Sequence, residues 1–136
     1  MACFADLSPE AKKELWAILA LRHARGIGPR RAKSLIEYFE SPLNAVEAGL
    51  ASSTAWSVLK SIPHDAALAF AAEEWRSGAK AEWAAIQRHA GPLLLWTDAC
   101  YPETLRHIPD PPLLFYYKGD ASLLRGPAAA VVGARK

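Results

Sequence analysis

The sequence predicts a mixed α and β chain, in which a helical N-terminal domain leads into the opening strands of a second, α/β domain. Three observations predict it. Apolar residues recur at helical spacing, behind clear start signals, from Ser8 to about residue 90. Gly91-Pro92 then stops that periodicity. Beyond it, three short apolar runs at 93–96, 113–117 and 128–132 are bounded by Pro, Gly and Asp, as buried strands are. The helical domain is placed at residues 1–75, and the linking helix with the first strands at 76–136.

Each element has its own signal. Ser8, Pro9 and Glu10 open the first helix as N-cap, first helical residue and first-turn acid, and Leu15, Ile18 and Leu19 line one face of it to about Ala24. The segment "GIGP" breaks it. A second helix from Pro29 carries Ala32, Leu35, Ile36 and Phe39 on one stripe. Ser41-Pro42 repeats the start signal, and Gly49 is read as the stop. Ser52 or Ser53 opens a further segment with Trp56 and Leu59 one turn apart, ended before Pro63. A long alanine-rich helix follows through Leu68, Ala71, Trp75, Ala79, Trp83 and Ile86, with Gly78 as the point where it kinks or divides. Among the strand-like runs, "YPETLRHI" reads as about two turns of helix.

Bulk properties narrow the function. A chain of 136 residues buries enough surface to fold without metals or disulfides. Cys3 and Cys100 share no motif spacing and fit reduced thiols in the cytoplasm. The longest apolar run, "PLLLW", is strand-sized, so neither a membrane span nor a secretory signal is expected. The four histidines are scattered without ligand spacing, which argues against a metal. Glu73, Glu74, Glu82 and Glu103 read as solvated, and no nucleophile and base stand at a useful spacing, so no enzyme is expected. Trp56, Trp75 and Trp83 fall on apolar stripes and read as core; a base-stacking platform needs aromatic rings exposed beside a cationic groove.

The net charge is only +2, but no acid lies between Glu14 and Glu37, where Arg22, Arg25, Arg30, Arg31 and Lys33 cluster. Within that stretch Gly26 and Gly28 flank Ile27 between two helices, and the second helix presents unpaired N–H groups at its start. This resembles the helix–hairpin–helix motif, which grips phosphate without reading sequence. Two readings stay open. Arg25, Gly26, Gly28, Arg30, Arg31 and Lys33 contact DNA, duplex DNA included, or "GIGP" is a tight turn and the cations are solvated.

From Asp98 onward the residues become specific. The pattern D-x-x-Y-P-x-x-L-x-x-I-x-D-P-P-x-x-L-Y-x-x-G, then V-G-x-R, is met by Asp98, Tyr101, Pro102, Leu105, Ile108, Asp110, Pro111, Pro112, Tyr116, Gly119, Val132, Gly133 and Arg135. Phe115 stands where leucine is usual. This stretch resembles the DNA-processing protein A family (DprA, or Smf), and "GIGPRRAKSLIEYF" suits that family's helical domain. The resemblance implies a SAM-like, helix–hairpin–helix-like domain joined to an extended Rossmann-like domain. It implies single-stranded DNA as ligand during natural transformation, RecA recombinase as partner, a homodimer, no cofactor and no catalysis. It further implies that Gly133 turns the chain off a strand, that Arg135 contacts a DNA phosphate, and that Lys136 adds charge beside it.

On this resemblance the chain is expected to be a front portion of such a protein, with most of the sheet and the dimer surface absent. Val131 and Val132 are then expected at an unprotected sheet edge, prone to disorder or self-association. Two other classes stand beside it. A Rossmann-type nucleotide enzyme lacks support, because no G-x-G-x-x-G is present. A helical protein-interaction module is separable from DNA binding by reversing charge at Arg30 and Arg31.

Overall fold

The computed structural model describes residues 3–89 and 91–135. Helix α1 (Pro9–Arg22) starts where expected, because the Ser8 hydroxyl accepts from the Ala11 N–H and Pro9 occupies a position that needs no N–H. Helix α3 (Pro42–Ala51) repeats the device, with Ser41 accepting from the Asn44 N–H. Between them, α2 (Pro29–Phe39) ends on Glu40 in the left-handed region at φ 75°.

The core lies around α1, against which α2, α3 and α5 (Arg76–Arg88) pack. Leu15 and Ala17 to Leu21 are all buried, so α1 is apolar on nearly every side along this stretch, as a central helix must be. Each large aliphatic side chain buried in this way contributes about 1.5–3 kcal/mol. Trp56, Phe70 and Trp75 form a continuous aromatic stack, with centroids 4.4 and 5.4 Å apart. Both indoles stay satisfied inside: Trp56 Nε1 donates to the Ala45 carbonyl (2.9 Å) and Trp75 Nε1 to that of Phe70 (3.1 Å).

Three expectations in the helical part are corrected. Gly49 is not a stop but an interior residue of α3, where a Cβ would lie 2.6 Å from Trp56 Cε2. The alanine-rich stretch divides before Gly78, into α4 (His64–Ala71) and α5, at a turn where Glu73 takes φ 60°. Gly78 sits inside α5 and admits the His23 ring, whose Nδ1 would be 2.6 Å from a Cβ. The segment around Trp56 is a short 3₁₀ turn, Ala55–Val58, rather than an α-helix. In both glycine cases a neighbouring ring, not backbone breaking, explains the residue.

After Pro92 come β1 (Leu93–Leu95), α6 (Glu103–Arg106) and β2 (Leu114–Tyr116). The strands pair antiparallel, Leu93 opposite Tyr116 and Leu95 opposite Leu114. A parallel pair needs a full crossover, usually a helix packed over the sheet, and the four-residue α6 is too short to supply one. The third expected strand, 128–132, has no regular structure. Its Val131 and Val132 are 97% and 92% exposed, with no apolar cover to make a strand favourable. No helix among the described residues is long and apolar enough to cross a membrane.

Candidate nucleic-acid interface

The hairpin between α1 and α2 is built by its two glycines and the isoleucine between them. Gly26 takes φ 80°, with the Ala66 methyl of α4 3.0 Å from where a Cβ would stand, so both conformation and space exclude a side chain there. Ile27, 5% exposed, anchors the turn in the core. Gly28 then caps α2 without a side chain, Pro29 has no N–H, and the backbone N–H groups of Arg30 and Arg31 have no acceptor among the described residues. With no acid in the first turn, this helix start keeps its full partial positive charge.

The cations divide into committed and open groups. Arg22 binds Glu82 with two donors, at 3.2 and 3.0 Å. Arg25 pairs with Glu74 at 3.2 Å on an exposed surface, where such a pair is worth about 0–1 kcal/mol. Arg31 Nη1 donates to the Gly26 carbonyl at 2.7 Å and so braces the hairpin. Lys33 Nζ donates to the Ile108 carbonyl at 3.0 Å and lies 3.9 Å from Glu37. Arg30 is exposed and its side chain has no partner among the described residues. The charge cluster of the sequence is therefore partly neutralised by acids far along the chain, and Arg30 and Arg31 carry what remains.

A cleft of about 370 Å³ lies beside this helix start, lined by Arg22, Ile27, Gly28, Pro29, Asp110 and Pro112 among others. The hairpin forms one wall and the D-P-P segment the other, with Lys33 tying the two walls together through Ile108. The segment itself is locked from within. Asp98 accepts from the Leu95 N–H (2.8 Å), and the Tyr101 hydroxyl donates to the Pro112 carbonyl (2.7 Å). Burial pushes the Tyr101 phenol up to about 12, against the opposing charge of Arg106. The Arg106 guanidinium donates to the Trp96 and Asp98 carbonyls and lies over the Trp96 and Tyr101 rings, at 5.3 and 5.2 Å. Arg106 falls on an unspecified position of the recurring pattern, and the pattern assigns it no role.

Glu82 is likewise a correction, since it is not solvated but only 14% exposed. It receives Arg22, the His23 Nε2 at 2.7 Å and the Tyr116 hydroxyl at 3.3 Å, and so joins α1, α5 and β2. Burial pushes its carboxyl up, but the hydrogen bonds and charges of Arg22 and His23 outweigh burial and hold it below its ordinary value. Gly133 and Arg135 are exposed, and no hydrogen bond or ion pair among the described residues joins Arg135 to the hairpin. Lys136 lies outside the described residues. Among the described residues, no group of three or more His, Cys, Asp or Glu is placed to hold a metal.

The segment that forms the second wall is the one that comparison with known proteins recognises. Residues 92–136 match the sequence model of the family described as DNA recombination-mediator protein A. A stretch of 38 residues is 53% identical to the DNA processing protein DprA of Streptococcus pneumoniae. It covers 28% of this chain and 14% of that protein, so the match spans a small part of the relative's length. No solved structure matches the chain. The matched segment thus supplies β1, β2 and the bonds of Asp98 and Tyr101, while the hairpin stands on residues before it.

Proposed function

We propose that this chain is a DNA-binding protein of the DprA type, which binds and protects incoming single-stranded DNA and assists RecA loading in natural transformation. It acts in the cytoplasm by binding alone, without catalysis or cofactor. The observation that carries the proposal is the match of residues 92–136 to a recombination-mediator family. The open start of α2, with the N–H groups of Arg30 and Arg31 and the Arg30 side chain open beside the segment of residues 92–136, supplies a surface suited to a phosphate backbone. Arg135 and Lys136, after Gly133, add positive charge at the far end of that segment.

The test is anisotropy of labelled single- and double-stranded oligonucleotides at several salt concentrations. For a single strand, each neutralised phosphate adds about −0.7 to the slope of log affinity against log salt. Arg30→Glu, which breaks no internal contact, should shallow that slope by about 0.7 or more and weaken every sequence alike. Arg30→Glu with Arg31→Glu should lower binding further. Binding unchanged by either variant removes the hairpin from the proposal, and no binding by the folded chain overturns the proposal itself. A preference for duplex would redirect the function to duplex DNA.

A further inference from the structure

Of the three large residues read as core tryptophans, one does not behave as core. Trp56 and Trp75 are 0% and 2% exposed, but Trp83 is only partly buried. It meets Trp16 of α1 edge-on at 5.7 Å, and Trp16 in turn backs onto Trp75 at 5.7 Å. Phe4 closes on Trp83 at 5.0 Å, with Lys12 Nζ 5.0 Å over the Phe4 ring. These side chains edge an open groove of about 340 Å³ lined by Lys12, Lys13, Trp16, Leu43 and Trp83.

We propose that this groove is a base-stacking subsite for single-stranded DNA, with Trp16 and Trp83 receiving a base and Lys12 and Lys13 its flanking phosphates. The inference rests on the proposed single-strand binding and names a second place where it occurs. The groove surface is almost wholly apolar, made by the two indoles, Leu43 and the stems of Lys12 and Lys13, which are the charged residues among its described lining. That pairing of flat apolar surface with cations complements a base joined to phosphates. Lys13 is exposed and has no partner among the described residues. Glu14, beside it in sequence, directs Oε2 to the Leu43 N–H at 3.2 Å and is engaged there. A wholly apolar peptide would leave both lysines uncompensated.

The test follows the indole N–H signals of the ¹⁵N-labelled chain during titration with an oligothymidylate. Signals of Trp16 and Trp83 should move on binding, while those of Trp56 and Trp75, bonded to buried carbonyls, should not. Trp83→Leu should weaken oligothymidylate binding roughly five- to a hundredfold, the range for loss of one stacked base. Lys12→Glu with Lys13→Glu, which leaves the rings in place, should weaken it as well. Oligothymidylate that binds and moves only the Arg30 and Arg31 amides overturns the groove and leaves the proposed function standing. Failure to bind anywhere overturns both. Movement of the Trp16 and Trp83 signals by an acidic peptide but not by the oligonucleotide overturns the proposed ligand.

Discussion

Gly49→Ala sets two effects of opposite sign against each other. Gly49 lies inside α3, where alanine would favour the helix by about 1 kcal/mol. Its new methyl, however, would stand 2.6, 2.7 and 2.9 Å from Cε2, Cζ2 and Nε1 of Trp56. Relief requires several tenths of an ångström of movement, and the ring has little freedom to give it. Trp56 is 0% exposed, stacked on Phe70 at 4.4 Å and bonded to the Ala45 carbonyl at 2.9 Å. Overpacking costs about 1–3 kcal/mol, and straining the indole bond adds about 1 kcal/mol. The clash therefore wins, with a net loss of about 2 kcal/mol. For 136 residues at roughly 2.1 cal/mol/K each, that lowers Tm by about 7 °C. Thermal unfolding followed by circular dichroism reads it directly. Adding Trp56→Phe removes the ring edge that the methyl meets, so the double variant should recover about 1 kcal/mol beyond additivity. A Tm for Gly49→Ala equal to or above that of the parent would refute the packing argument, because helix propensity alone would then decide the outcome.

Two further substitutions test the ties around the candidate site. The Glu82 carboxyl is held below its ordinary value, so its contribution is present above about pH 4.5 and lost as pH falls through the folded value. With Arg22 and His23 about a third exposed, Glu82→Gln should cost about 1 kcal/mol at pH 7; denaturant titrations should show the gap closing toward pH 3, and a gap independent of pH would count against the cluster. Tyr101→Phe leaves the Pro112 carbonyl without its donor and should cost about 1–2 kcal/mol. Because burial pushes the folded phenol up to about 12, the parent should also lose stability from about pH 10 upward relative to the variant, and parallel curves would refute the burial of that phenol.

The helical part was legible where the signal was local. Ser8-Pro9 and Ser41-Pro42 mark α1 and α3, because a cap needs only its own three following residues. Glycine was less legible, because its cause lies in other elements: Gly49 answers to Trp56 and Gly78 to His23. The strand-like runs at 93–96 and 113–117 hold β1 and β2, but neither their direction nor the fate of 128–132 was readable. Pairing depends on what lies across the sheet, and periodicity within a run is blind to that. The same limit governs the charges. A stretch without acids between residues 14 and 37 looked uniformly basic, yet Glu74 and Glu82 fold back onto Arg25 and Arg22 from 49 and 60 residues away.

That neutralisation separates what makes the chain recognisable from what can act. Asp98, Tyr101 and Pro112, the residues of the recurring pattern, spend their polar atoms on one another's neighbourhood: an N–H of β1, a carbonyl of the D-P-P turn. Arg106 donates to two carbonyls, pairs with Glu103 at 3.3 Å and lies over two rings, so its guanidinium is engaged inside the segment. The Asp98–Pro112 part of the pattern is therefore engaged within the wall rather than left open to a ligand. Capacity to hold an anion lies instead with groups left open: the Arg30 side chain, the N–H groups at the start of α2, and the cations that neither Glu74 nor Glu82 reaches. Lys33 links the two, since its bond to the Ile108 carbonyl sets the distance between the open helix start and the rigid wall. A ligand seated at α2 would face the segment of residues 92–136, so charge reversal at Arg30, rather than at Arg106, is the perturbation that tests the proposed binding.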